Sequence, residues 1–235
     1  MKRIILLIIK LIYILPSWLL KIRKYNQENV TTLEERFQFI KGIANKVMKK
    51  GKIHLTCYGK ENLPKEQGYL IAPNHQGLFD IVALIYTMDV PFRAVVKIEL
   101  MKVPAINGVI KMMGYQPMDR ENLRQSMKVI KQASKEMSEG ITYAIFPEGT
   151  RCRKKNEMLE FKGGTFKCAV DAKKPIVPTA MINNYKVFDD NNIKPVDCQI
   201  HYLEPIYYDD YKDLSHMEIA RMVQDRIAQC IKEYE

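Results

Sequence analysis

From Lys52 onward the chain alternates two kinds of hydrophobic pattern. Short runs rich in β-branched and aromatic residues occur at KIHLTCYG (52–59), GYLIAP (68–73), FRAVVK (92–97), YQPM (115–118), ITYAIFP (141–147), KPIVPTAMI (174–182) and CQIHYLEPI (198–206). Between them, apolar residues recur at helical spacing over Leu78–Met88, Val103–Met113, Glu121–Glu139, Thr165–Ala172 and Ser215–Tyr234. This alternation predicts an α/β domain: a central mixed, largely parallel sheet flanked by helices. In such sheets ligands bind beyond the carboxyl ends of the strands.

The first 50 residues read differently. Ile4 to Leu20 is a run of 17 residues with twelve Ile and Leu, broken only by a few others including Lys10 and Pro16. As one helix it would reach about 26 Å, short for a hydrocarbon core of about 30 Å. Lys2 and Arg3 precede it and Lys21, Arg23 and Lys24 follow, so both ends fit the cytoplasmic face of the cell membrane. No small-residue cleavage site follows, which argues against a signal peptide. Next, Thr31 or Thr32 followed by Glu34 or Glu35 forms a capping box. Leu33, Phe37, Ile40, Ala44 and Val47 then share one helical stripe beside Lys41, Lys46, Lys49 and Lys50. The expectation is a two-helix membrane-anchoring extension over 1–50 and a second unit over 51–235; an amphipathic helix packed on the domain fits the second pattern equally well.

Charge narrows the partners. The 37 basic and 27 acidic side chains give a net charge of +10, which calls for an anionic partner. Nucleic acid is disfavoured: the 13 tyrosines lie mostly in strand-like runs, and a hydrophobic N-terminus has no role there. Cys57, Cys152, Cys168, Cys198 and Cys230 show no paired spacing, which argues against a disulfide framework or a zinc site and for a reducing compartment.

The chemistry gathers where strands end. GYLIAP runs straight into NHQGLFD (74–80). On one helix His75 and Asp80 would point about 140° apart. With His75 on a loop and Asp80 in the first turn of the next helix, the carboxylate can fold back onto the imidazole, hold one ring nitrogen protonated and leave the other as a base. ITYAIFP runs into Glu148, Gly149, Thr150 and Arg151, a tight polar turn followed by Arg153, Lys154 and Lys155 that reads as a phosphate seat. Arg120 follows a third strand and Lys97 ends a fourth. Cys152 near this seat is a weaker candidate for a thiol nucleophile.

NHQGLFD, GYQPMDR (114–120), FPEGTR (146–151) and KKPIVPTAM (173–181), in this order and at these separations, resemble the four sequence blocks of the 1-acylglycerol-3-phosphate acyltransferases, a family of membrane-bound glycerolipid acyltransferases. The likeness covers roughly Tyr58 to Ile182 and includes the joining stretch FKGGTFKCAVDAKKPIVP. Pro117 stands where the family commonly has an aromatic residue, and Thr179 replaces a frequent aliphatic one.

The resemblance implies that His75 is the general base and Asp80 orients it. It implies that Arg151, with Glu148, Gly149 and Thr150, forms the acceptor site and that Lys97 and Arg120 help hold a glycerol phosphate. The implied reaction moves a fatty acyl group from a coenzyme A or acyl carrier protein thioester to the sn-2 hydroxyl of lysophosphatidic acid. The product is phosphatidic acid, and no metal, cofactor or covalent acyl-enzyme is needed. Backbone amides near His75 or Lys97 are candidates for holding the tetrahedral oxyanion. Two other readings remain: the same chemistry on another lysolipid or an acylated amino acid lipid, and a non-catalytic adaptor that binds anionic membrane lipid.

Overall fold

The computed structural model describes residues 2–27 and 31–235. Two short helices, α1 (Lys2–Leu11) and α2 (Leu15–Tyr25), precede α3 (Leu33–Gly51). The body follows in the order β1 (Ile53–Tyr58), β2 (Leu70–Pro73), α4 (Asp80–Thr87), β3 (Arg93–Lys97), α5 (Pro104–Met113), β4 (Gln116–Met118), α6 (Leu123–Ser138), β5 (Tyr143–Ala144), α7 (Lys167–Ala172), β6 (Ile176–Ile182), α8 (Tyr185–Phe188), β7 (Val196–Tyr202), α9 (Tyr208–Tyr211) and α10 (His216–Tyr234).

The seven strands form one sheet in the order β1-β7-β6-β2-β5-β3-β4. Strands β6, β2, β5, β3 and β4 run parallel, while β7 is antiparallel to β6 and β1 follows β7. The mixed, largely parallel sheet expected from the alternation is therefore present, and the carboxyl ends of five strands share one edge. Strand β5 is shorter than the run ITYAIFP suggested, though Ile145 N still donates to Ile71 O at 3.0 Å beyond it. One face of the sheet is covered by α6, α7 and α10, packing Ala133, Met137, Phe166, Ala169, Val223 and Ile227 onto the strands. On the other, Phe37 and Ile40 of α3, Leu84 of α4 and Met112 of α5 meet Ile71, Val177 and Met181.

The N-terminal run is not one helix. Its two halves are bent by 83° at the break between Leu11 and Leu15. Pro16 lies in the first turn of α2, where its missing N–H is tolerated; continued from α1, its ring would collide with the carbonyl four residues before it. No single described helix is long and apolar enough to cross a membrane. Helix α3, expected as the second half of the extension, begins at the capping box, with Thr32 Oγ1 accepting from Glu35 N and Glu35 Oε2 accepting from Thr32 N. It then turns Phe37, Ile40, Ala44 and Met48 into the core, so its stripe packs on the domain and the extension is α1 with α2.

Arg3 fastens α1 to the body. Fully buried, it donates through Nε to Val187 O (2.9 Å), through Nη2 to Lys194 O (2.8 Å) and through Nη1 to Gly51 O. Helix α2 is seated on α5, where Asn26 Nδ2 donates to Gly108 O at 2.9 Å. Gly108 is needed there, because a Cβ would come within 2.7 Å of the Ile22 side chain.

Candidate active site

His75 and Asp80 meet as the loop reading required. His75 lies on the turn after β2 and Asp80 begins α4, and Nδ1 of the ring is 2.8 Å from Asp80 Oδ2. The same oxygen accepts from Gln76 N (2.7 Å) and Gly77 N (2.8 Å), so it is an acceptor to all three and Nδ1 carries the proton. Nε2 is then the lone-pair nitrogen. Asp80 is fully buried, whereas the His75 side chain keeps 19% of its surface accessible. Phe146, one residue before Pro147, lies against the imidazole with ring centroids 4.2 Å apart.

Glu148 takes an inward position. Its Oε1 accepts from His75 N at 2.6 Å and its Oε2 from Leu159 N at 2.8 Å. Burial pushes its carboxyl pKa up, opposed by those two amides. The carboxylate thus ties the turn after β5 to the turn after β2, and Cys152 N adds a bond to His75 O at 2.9 Å. The amides of residues 75, 76 and 77 are all spent on Glu148 and Asp80. The oxyanion candidates near His75 are for that reason not available at these three positions.

A set of amide side chains supports this turn. Asn74 grips Met181 on β6 in both directions, with Nδ2 to Met181 O at 3.0 Å and Met181 N to Oδ1 at 2.7 Å. Gln76 Oε1 accepts from Asn184 N at 2.8 Å, and its Nε2 donates to Asn156 Oδ1 at 2.9 Å. Asn156 also accepts from Asn183 N (2.8 Å) and donates to Glu235 Oε1 (3.0 Å). Asn183 sits at φ 64°, a conformation Asn tolerates better than most residues. Finally Asn184 Nδ2 donates to Asp80 Oδ1 at 3.2 Å. The sequence reading missed Asn156, Asn183 and Asn184.

A cavity of about 810 Å³ opens between α6 and the strand ends; His75 and Asp80 are not among its lining residues, and Phe146, which lies against the imidazole, joins the pair to its wall. Its floor is apolar, with Val95, Met118, Ile130, Ile145 and Phe146, and its rim carries Arg120, Arg124, Lys128, Lys131, Lys162 and Lys167 against Asp171. The expected acceptor residues divide around it. Arg120 and Gly149 line the cavity. Gly149, at φ 71°, adopts a left-handed backbone that lets Lys162 lie close beside it. Lys97 and Arg151 do not line it: Lys97 pairs with Glu99 at 2.7 Å and Arg151 with Asp189 at 3.3 Å. Thr150 is exposed on the turn. Cys152, considered as a nucleophile, is buried.

The acyltransferase family model matches residues 54–182, more than half of the chain. A 1-acyl-sn-glycerol-3-phosphate acyltransferase of Borreliella burgdorferi is 34% identical over 141 residues, covering 60% of this chain and 56% of that protein. The enzyme of the same name from Bacillus subtilis is 31% identical over 185 residues, covering 77% of this chain and 88% of its own length. The crystal structure of the 1-acyl-sn-glycerophosphate acyltransferase PlsC from Thermotoga maritima superimposes over 100% of this chain and 98% of that one, with a TM-score of 0.81 at 20% identity, which shows a shared fold. Matched by the family model across its strand-end site and by the Bacillus enzyme along most of its length, the chain belongs to the acyltransferase family, among the 1-acyl-sn-glycerol-3-phosphate acyltransferases.

Proposed function

We propose that the protein acylates the free sn-2 hydroxyl of 1-acyl-glycerol-3-phosphate, using a coenzyme A or carrier-protein thioester and yielding phosphatidic acid. The observation that carries this reading is the His75 imidazole, partly accessible and held by Asp80 in the tautomer that leaves Nε2 as its lone-pair nitrogen. Nε2 takes the hydroxyl proton as that oxygen bonds to the thioester carbonyl carbon. The tetrahedral intermediate then collapses, the C–S bond breaks, and the leaving thiolate recovers the proton from Nε2. Asp80 stays ionised and stabilises the imidazolium between the two steps. A positioned base of this kind supplies about 100- to 10,000-fold, and the rest comes from holding donor and acceptor together.

Arg120, Lys162 and Gly149 at the cavity rim support a seat for the acceptor phosphate there, and the apolar floor supports a path for its acyl chain. Membrane association is supported by the foot: Ile5, Ile8, Ile9, Ile12 and Leu20 of α1, α2 and the break between them are exposed at 54%, 54%, 65%, 59% and 69%. A bent, cation-flanked pair suits a position within one interface rather than across the bilayer.

The test is thiol release from palmitoyl-coenzyme A, and separately from palmitoyl-acyl carrier protein, in mixed micelles with and without lysophosphatidic acid. Acceptor-dependent release that falls about a hundredfold or more in His75→Ala supports the reading and names the donor. Release independent of acceptor would make the protein a thioesterase. Release with another lysolipid only would change the acceptor, and none with any would leave an anionic-lipid adaptor.

A further inference from the structure

Outside α1 and α2, large apolar side chains are exposed on three neighbouring connections at the strand-end edge and the helix starts that follow them: Leu78 after β2, Ile98 and Val103 between β3 and α5 with Ile106 in the first turn of α5, and Leu123 and Met127 at the start of α6. Leu123 and Met127 are 75% and 62% exposed, and both also line the cavity. Cations accompany them: Lys102 precedes α5, and Arg124, Lys128 and Lys131 stand on the exposed side of α6, against the acids Glu99, Asp119 and Glu121. Glu99 is already paired with Lys97. The edge is continuous with the foot, because α2 is seated on α5 at Gly108, less than one turn from Ile106.

We infer that the membrane-binding surface is not confined to the foot but continues along this edge to α6, so that the cavity mouth opens onto anionic lipid. This rests on the reading of the protein as an enzyme of the lipid surface. Exposed apolar groups ringed by cations mark an interfacial surface, and anionic headgroups complement the charge. An acidic carrier protein would meet the basic stripe of α6 equally well. It would not, however, account for apolar exposure on three separate connections that run on into the foot; a plane touches several loops where a docked helix touches one. The acceptor then enters with its acyl chain sliding from the bilayer across Leu123 and Met127, and its phosphate never leaves the headgroup layer.

The chain has one tryptophan, Trp18 on α2, which reports the foot. In the full-length protein, Trp18→Phe combined with Met127→Trp, and separately with Ile106→Trp, moves the reporter to the edge. Trp18→Phe with Tyr207→Trp places it beside the amino end of β6, on the opposite edge. Each is mixed with phosphatidylglycerol vesicles carrying brominated or ordinary acyl chains. The expected result is a blue shift and a bromine-dependent loss of emission for the reporters at 18, 106 and 127, and none at 207. Quenching at 18 alone would overturn the inference while leaving the foot in the membrane. Shielding at 127 by acyl carrier protein, with no bromine quenching there, would assign the face to a protein and overturn it equally. Quenching nowhere would remove the membrane reading altogether, leaving the thiol-release assay to decide the activity independently.

Discussion

The side-chain amide of Asn184 donates to Asp80 Oδ1 across 3.2 Å, so the turn after β6 holds the carboxylate that orients the His75 imidazole on the turn after β2. Its own side-chain carbonyl oxygen is buried with no partner among the described protein atoms. Asn184→Leu is expected to lower kcat about tenfold or more with little change in acceptor KM, because His75 loses its fixed orientation rather than any substrate contact. Asn184→Asp sets a second carboxylate beside Asp80 and favours the imidazolium, moving the acidic limb of the kcat/KM profile to higher pH. A pH–rate series on both variants measures this; an unchanged kcat in Asn184→Leu would deny Asn184 a positioning role.

Gly149 occupies a left-handed backbone at the cavity wall. Gly149→Ala is expected to cost about 1–2 kcal/mol of strain and to push Lys162 aside, since a Cβ there would lie 3.0 Å from Lys162 Nζ. Urea unfolding should register the first effect and a raised acceptor KM the second.

Arg120 and Arg151 were expected to act together on the acceptor, but only Arg120 lines the cavity. Arg120→Ala should raise acceptor KM about tenfold or more, from the loss of roughly 1.5–3 kcal/mol in a charged hydrogen bond. Arg151→Ala should change it far less, because its guanidinium is engaged with Asp189. Equal effects would place the phosphate on the Arg151 side of the turn.

Glu136 on α6 joins the sheet through Arg93 on β3, at 2.5 Å, and through the Tyr143 hydroxyl on β5. Burial raises its pKa, but the hydrogen bonds from Tyr143, Gln132 and Arg93 outweigh that and hold it below the usual carboxylate value. A lowered folded pKa contributes stability above the unfolded value and loses it as pH falls through the folded one. Glu136→Gln should therefore destabilise by about 2 kcal/mol at neutral pH. That deficit should hold down to about pH 4 and close below it, which urea titrations across this range will read.

The sheet and the meeting of His75 with Asp80 were legible because they depend on local signals. The switch from period two to helical period marks each strand end, and Gly77 and Asp80 announce a turn into a helix behind His75. The fate of α3 was not legible, since Phe37, Ile40 and Ala44 make the same stripe whether they face lipid or Val177 and Ile200. Nor was the amide network: Gln76 meets Asn156 across 80 residues and Asn184 across 108, and no spacing rule connects them. The reversal of β7 against β6 is likewise a matter of tertiary packing. A signal for the basic rim did exist: Arg124, Lys128 and Lys131 recur on one side of the α6 pattern, which could have pointed to the cavity before any phosphate seat did.

Arg3 makes α1 and α2 part of the bracing of the body itself. A chain shortened to begin at residue 31 would leave the carbonyls of Gly51, Val187 and Lys194 without their donor and would bare the α5 surface around Gly108. Val187 lies three residues from Asn184, on the same short segment that braces Asp80. Trimming the hydrophobic end to gain solubility would thus loosen the scaffold behind His75, and poor turnover in such a truncated enzyme would report slack around Asp80 as much as the loss of α1 and α2 themselves.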